Sequence, residues 1–246
     1  MTEPDSRTEQ DPAWQPLYAA GAVSAGLAVV AYAVALVVVA VSTSPPDAGG
    51  ASVLTYVHIH RSLYIVRQVL WMMPSLFLIV VSLALAVALR HVSKSWAAIV
   101  GVIAITSWAV SFAWPTSGDG SLIMVVLSDR YVDASTESAR AASVAGAELL
   151  VAFNSVPAVI GVLQTLGVLL ISLLMLRSSF STVVAWLGVV TGAIGIVSEL
   201  LRPLLGWAYA IYGLLLFVWL AWIALALWKL AVRQRRHVAE EVSSPI

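Results

Sequence analysis

The sequence contains no cysteine and little charge. The absence of cysteine among 246 residues excludes disulfides, thiolate metal ligands and cysteine nucleophiles. Only 11% of the residues are charged, whereas 61% are hydrophobic and the mean hydropathy is +0.95. Ordinary soluble domains are roughly 45–50% apolar. A water-soluble fold could not bury this much apolar surface, so the composition predicts an integral membrane protein.

An excess of charge of either sign is also lacking. The chain has 13 Lys and Arg residues and 13 Asp and Glu residues, so its formal net charge is zero. A nucleic-acid-binding protein would show a basic excess, and a partner of cationic proteins would show an acidic tail. We therefore expect no nucleic-acid partner, and the lipid bilayer is the partner that the composition indicates.

Long apolar runs predict an all-α, polytopic transmembrane helical bundle. In hydrocarbon every backbone N–H and C=O group must be paired, so these runs are helices, since they are too long for barrel strands. The first run is also too long, and its start too acidic, for a cleaved signal peptide. The six predicted spans, between polar tails at 1–16 and 231–246, cover residues 17–41, 69–89, 96–114, 156–176, 182–201 and 204–230.

The distribution of Lys and Arg predicts the orientation of these spans. Eight of them lie on the side that carries both chain ends, and five lie on the other side. The positive-inside rule therefore predicts that both termini are cytoplasmic. The long segments before the second and fourth spans then face outward. The first contains an amphipathic stretch at 55–68, and the second a helix over 134–147 that Asp133 caps.

Several polar residues fall near the predicted outer ends of the spans. Ionisable side chains are costly to bury in a membrane, so they are candidates for a functional site. The alternative is that they anchor the helices at the interface or form structural ion pairs, as the spacing of Glu199 and Arg202 allows. The candidate polar pocket consists of Arg61, Arg67, Glu148, Asn154, Glu199 and Arg202.

Motifs that carry catalysis or bind metals are missing. The sequence has no HExxH, GxSxG, Walker-type or GxGxxG pattern, so we assign no catalytic residue. His58 and His60 form a His-x-His pair, but alternate residues on a helix point about 200° apart and further ligands are lacking. We expect neither a metal nor a cofactor. Gly188 and Gly192, extended by Gly195, form a small-xxx-small pattern that favours close packing within the bundle.

The second half of the chain contains an apolar span from Gly161 to Arg177 and a fifth span that opens with Trp186-Leu187-Gly188 and continues to Gly192. In these segments the chain resembles a bacterial family of six-span membrane proteins, domain of unknown function 4386. The resemblance implies the six-span fold, in a bacterial cytoplasmic membrane. It implies no activity.

Three functional hypotheses follow for this chain. The first is a non-enzymatic binding or sensing component with an outward-facing polar pocket for a small molecule or lipid. The second is a transporter of small solutes or lipids, which would need polar residues converging near the membrane midplane. The third is a membrane enzyme that acts on lipid at the outer face, with Glu148 or Glu199 sharing a cavity with a nucleophile or metal.

Overall fold

The computed structural model of this chain is almost entirely helical. It describes residues 12–46, 49–114, 116–117, 120–155 and 159–243. Two short strands, β1 (Thr116–Ser117) and β2 (Gly120–Ser121), pair antiparallel. The α-helices of the described residues are α1 (Gln15–Val41), α2 (Gly50–Ile59), α3 (Arg61–Leu89), α4 (Lys94–Ala113), α5 (Ile123–Val132), α6 (Glu137–Ser155), α7 (Val159–Met175), α8 (Thr182–Leu200), α9 (Arg202–Leu205) and α10 (Tyr209–Ser243).

Five helical segments are long and apolar enough to cross a membrane. Four of them are α1, α3, α4 and α8, and the fifth runs from Arg202 to Arg235 through α9 and α10. Helix α7 is also apolar but has only 17 residues. The chain therefore has the helices of a multi-pass membrane protein.

Six helices form a closed ring, which we call the bundle. Around this ring each helix packs against its two neighbours in the order α1, α3, α4, α7, α8, α10 and back to α1. The interior contains many small side chains, and Ala25, Ala28 and Ala84 are completely buried. Many large aliphatic side chains point outward, as Val102 does with 64% of its surface exposed, although others such as Leu85 are buried inside. This pattern, with apolar residues on both sides of the helices, suits a surface in contact with lipid.

Three further helices, α2, α5 and α6, pack on one another at one end of the bundle, and we call them the cap. Their own apolar core includes Leu54, Val57 and Ala147, none of which is exposed. The hydroxyl of Ser128 on α5 donates a hydrogen bond of 2.8 Å to the carbonyl of Leu54 on α2. The cap is thus a second packing unit with its own buried polar contact.

The hairpin of β1 and β2 joins the cap to the bundle. The Tyr64 hydroxyl on α3 accepts a hydrogen bond of 3.0 Å from the Ser121 N–H, and it lies 3.1 Å from the Ser121 carbonyl, to which it donates. Because Tyr64 is only 2% exposed, this contact holds the hairpin firmly against the first turn of α3, at the cap end of the bundle.

The connecting segments differ from their predicted structure. The stretch predicted as amphipathic at 55–68 is divided at His60, where α2 ends and α3 begins, so α3 starts eight residues before the predicted span at 69–89. The prediction that Asp133 caps the next helix is wrong, since Asp133 ends α5. The Thr136 hydroxyl caps α6 instead, accepting a 3.2 Å hydrogen bond from the Ala139 N–H. Thr136 directly precedes the first helical residue, where a capping side chain is needed.

The other predicted spans agree with the helices to within a few residues, with two differences. The last span, predicted at 204–230, begins as the short helix α9 and a 3-10 turn over Gly206–Ala208 before α10 starts at Tyr209, and α10 continues to Ser243, beyond the predicted end. Gly206 has a φ of 50°, which interrupts the helix at this corner. The fourth span, predicted at 156–176, corresponds to α7, and residues 156–158 lie outside the described residues.

Candidate functional site

Glu199 is a buried carboxylic acid at the C-terminal end of α8. Only 4% of its surface is exposed. Its Oε1 accepts a hydrogen bond of 2.6 Å from the Tyr209 hydroxyl on α10, whereas its Oε2 is buried without a hydrogen-bond partner among the described residues. The carboxyl group lies directly against Gly161 on α7, where no side chain would fit. Three helices of the bundle therefore meet around this carboxyl group.

Arg202 lies on the other side of Tyr209. Its guanidinium carbon is 5.2 Å from the centroid of the Tyr209 ring, a cation–π distance. Glu199 and Arg202 are not joined by an ion pair of 4.0 Å or less, although their spacing of three would allow one. Tyr209 thus bridges the acidic and the basic residue, one through its hydroxyl and the other through its ring.

Arg67 has a different role. It is only 1% exposed, and its Nη1 donates hydrogen bonds of 3.1 Å to the Ser42 hydroxyl and 3.0 Å to the Thr43 carbonyl. Ser42 is the residue at which α1 ends. A cation favours the C-terminal end of a helix, where carbonyl groups lack partners. Arg67 therefore ties α3 to the end of α1.

Two further predicted residues contact the cap. Arg61 forms an ion pair with Asp129 on α5, and both side chains are substantially exposed. Glu148 is exposed on α6, with its Cγ next to Gly50, the first residue of α2. A carboxylate at the start of a helix is stabilised by the unpaired N–H groups there. Asn154 lies in α6, and its side chain falls outside the described part of the structure.

The predicted polar pocket is thus only partly assembled by direct contacts. Glu199 and Arg202 share Tyr209 in the bundle, Arg67 binds the end of α1, and Arg61 and Glu148 contact cap residues. Among the described residues no three His, Asp or Glu side chains are grouped so that they could hold a metal ion. His60 instead stacks on Tyr56, with ring centroids 4.4 Å apart.

The glycines of α8, Gly188, Gly192 and Gly195, lie where α8 packs closely against α7 and α10, and we call this contact the seam. A side chain at Gly192 would lie 2.6 Å from the Leu169 backbone nitrogen on α7, and one at Gly195 would lie 2.7 Å from the Tyr212 ring on α10. At Gly188 a side chain would collide with Ser172 and Trp219. The predicted close packing of this glycine pattern within the bundle is therefore confirmed. Glu199 continues the same helix face at the cap end of the seam.

Ser172 and Trp219 place polar atoms beside Gly188, at the end of the seam farther from the cap. Ser172 is completely buried and Trp219 is 2% exposed, and neither the Ser172 Oγ nor the Trp219 Nε1 has a hydrogen-bond partner among the described residues. Some other buried hydroxyls bond to their own helix, as that of Thr191 does to the Leu187 carbonyl at 2.7 Å. Trp219 also lines an internal cavity of about 10 Å³. This is room for about one water molecule.

The cap contains a larger and more open groove of about 560 Å³. It runs between α5, which contributes charged side chains, and α6, which contributes small ones. The residues that line it are Val126, Leu127, Asp129, Arg130, Asp133, Ala139, Ala142 and Ser143. Asp129 in this groove is already paired with Arg61.

Tyr209, Ser172 and Trp219 were not predicted as site residues. Tyr209 comes next to Glu199 only because the chain turns back through α9, and hydropathy does not reveal such a corner. Ser172 and Trp219 lie on different helices, and their juxtaposition depends on the ring order of the bundle. The glycine spacing of α8 was the one sequence signal that pointed to this seam.

Comparison with protein-family models, curated proteins and solved structures gives no match for this chain. The similarity to domain of unknown function 4386 therefore stays a prediction from the sequence, and the function has to be argued from the site.

Proposed function

We propose that this protein is a six-span component of the bacterial cytoplasmic membrane with both termini in the cytoplasm, and that it binds or senses a small ligand at its outer side without catalysing a reaction. The observation that carries the proposal is the buried Glu199, with one oxygen held by Tyr209 and the other lacking a partner among the described residues. The cap then faces outward, and the ligand reaches Glu199 from that side.

The position of α7 supports six spans. A helix of 17 residues is about 26 Å long at a rise of about 1.5 Å per residue, slightly less than the roughly 30 Å of a hydrocarbon core. It packs between α4 and α8 in the ring, and both of these helices are long enough to span. A helix enclosed by two spanning neighbours crosses the same layer.

Exposed tryptophans support the same arrangement. Trp96, Trp186 and Trp228 are each more than half exposed and lie near the end of the bundle opposite the cap. Trp114 and Trp207, exposed by 47% and 84%, lie near the cap end. Tryptophan is enriched at both membrane–water interfaces, so the two groups mark the boundaries of the hydrocarbon layer.

The chemistry of the site favours a ligand that donates hydrogen bonds. A buried acceptor without a partner is unfavourable, and a ligand N–H group would satisfy it. The Tyr209 ring beside the carboxyl group already holds the Arg202 guanidinium at a cation–π distance, so the ligand donor has to reach the carboxyl oxygen itself. Small primary amines, which carry N–H donors, are the ligand class that we propose.

The test is a thermal-unfolding screen of the purified protein in lipid nanodiscs. Ethanolamine, methylamine and short diamines are the probes, and ligand binding raises the unfolding temperature by mass action. We expect a rise with at least one probe that E199Q abolishes and E148Q retains, because Glu148 is an exposed carboxylate of the cap. No rise with any probe, or a rise that E199Q leaves intact, would contradict the proposal.

Transport is the second candidate, and Ser172 and Trp219 favour it. The Ser172 Oγ and the Trp219 Nε1, which have no hydrogen-bond partner among the described residues, lie in the part of the seam farther from the cap. A transporter would need polar groups inside the bundle, near the membrane midplane. Uptake of a labelled probe amine into proteoliposomes distinguishes the two functions. A binding or sensing protein takes up none above empty liposomes, whereas a transporter shows saturable uptake that W219F reduces.

A further inference from the structure

Helix α6 changes character along its length. Its first half carries Glu137 and Arg140 and is exposed, as expected for a helix in water. From Ala145 to Phe153 the helix is apolar on both sides apart from Glu148. One side, with Ala147, packs into the core of the cap. The opposite side exposes Leu149 by 70% and Phe153 by 53%.

These exposed residues form a stripe at helical spacing. Ala145, Leu149, Ala152 and Phe153 are all exposed and lie on one face, and we call them the α6 stripe. Glu148 adjoins the stripe, and its Cγ lies close to Gly50, the first residue of α2.

The α6 stripe is continuous with the apolar surface of the bundle. The Phe153 ring lies 6.2 Å from the ring of Trp114, the residue that follows α4. Along α4 the exposed apolar surface continues through Val110 and Val102, exposed by 43% and 64%. The exposed apolar surface of α4 therefore continues onto the α6 stripe without a gap. Whatever covers this surface of α4 also covers the α6 stripe.

We propose that the second half of α6 lies in the outer interface of the lipid bilayer, with Leu149 and Phe153 at the boundary between headgroups and acyl chains. The cap then rests on the lipid surface and does not stand free in water. Helices with one apolar face bind membranes in this way. This inference rests on the proposed membrane embedding of the bundle, and it adds a lipid contact that no spanning helix provides.

The experiment measures quenching of a fluorophore by nitroxide-labelled lipid. Because the chain has no cysteine, each single-cysteine variant carries one label. L149C reports the α6 stripe, S138C reports the polar half of α6, and V102C reports the middle of α4. Each variant is labelled with an environment-sensitive dye and reconstituted into phosphatidylcholine nanodiscs that contain nitroxide lipids.

We expect lipid quenching at L149C at least twice that at S138C, with strong quenching at V102C. Quenching at V102C together with equal, weak quenching at L149C and S138C would overturn the inference and leave the membrane embedding intact. An L149C dye shielded from water but insensitive to nitroxide lipid would indicate a protein partner or a second copy, and would also overturn it. Absence of quenching at V102C would contradict the membrane embedding itself.

Discussion

A carboxyl group buried among helices costs free energy unless its oxygens are hydrogen bonded. At Glu199 the Tyr209 hydroxyl satisfies one oxygen, and the second has no partner among the described residues. The surroundings are tightly packed, since Gly161 leaves no room for a side chain against the carboxyl group. Such a site fixes the position of the carboxyl group and leaves one acceptor for a ligand.

The hydrogen bond between Tyr209 and Glu199 has a measurable energy. We expect Y209F to lower the free energy of unfolding by about 1–3 kcal/mol, because the substitution removes the partner of a buried acceptor. In the E199L background the same substitution should cost much less, since no carboxyl group is left unpaired. Thermal or denaturant unfolding of the single and double variants gives this coupling energy. Equal costs in both backgrounds would show that the two side chains do not interact.

The glycines of α8 and α10 offer a matched pair of substitutions. G192A places a methyl group 2.6 Å from the backbone of Leu169, which cannot move aside, so we expect a loss of about 1–3 kcal/mol. G213A meets no atom within 4 Å, and a helical alanine is about 0.5–1 kcal/mol more stable than glycine. The unfolding temperature should therefore fall in G192A and remain equal or rise in G213A. The opposite order would be inconsistent with the seam.

At the level of elements, the molecule divides into the bundle and the cap. Helices α2 and α5 have only ten residues each, and helices this short are marginal in water by themselves. They depend on the small core around Leu54 and on its contact with Ser128. The cap should therefore open at lower free energy than the bundle.

Hydrogen exchange of two leucine variants tests this division. Leu54 in the cap and Leu85 in the bundle are both completely buried, so truncation of either to alanine should cost about 2–5 kcal/mol. L54A should increase amide exchange in α2, α5 and α6 and leave α1 and α10 protected. L85A should instead lower the unfolding temperature of the bundle. Loss of protection throughout the chain in L54A would indicate a single cooperative unit.

The sequence predicts these elements unevenly. Apolar runs such as 17–41 and 182–201 match α1 and α8 closely, because length and hydropathy alone define a spanning helix. Helix α5 was missed because it has ten residues and includes Asp129 and Arg130, so no long periodic pattern marks it.

The candidate site was predicted only in part for a related reason. Polarity near a predicted helix end singled out Glu199 and Arg202, but burial and hydrogen bonding depend on tertiary packing. The turn through α9 that brings Tyr209 to Glu199 follows from one positive φ at Gly206, which hydropathy cannot predict. Arg67 was predicted for the same pocket, yet it binds the end of α1 because unpaired carbonyl groups there attract a cation.

At the level of the whole molecule, more of the basic residues lie at the end of the bundle opposite the cap than at the cap end, by eight to five in the sequence. Arg90, Lys94 and Arg177 occupy the connections away from the cap, and Arg90 lies 5.0 Å from the Trp14 ring at the start of α1. By the positive-inside rule this excess supports the proposed orientation, in which the cap faces outward. The proposed ligand site and the α6 stripe both depend on that orientation.

Cysteine accessibility in intact cells tests the orientation most directly. The natural chain has no cysteine, so a membrane-impermeant maleimide labels only the introduced residue. We expect T55C and S138C, exposed on the cap, to be labelled in intact cells, and S95C and S179C, exposed at the opposite end, to be labelled only after permeabilisation. Labelling of S95C or S179C in intact cells, with T55C and S138C protected, would contradict the account.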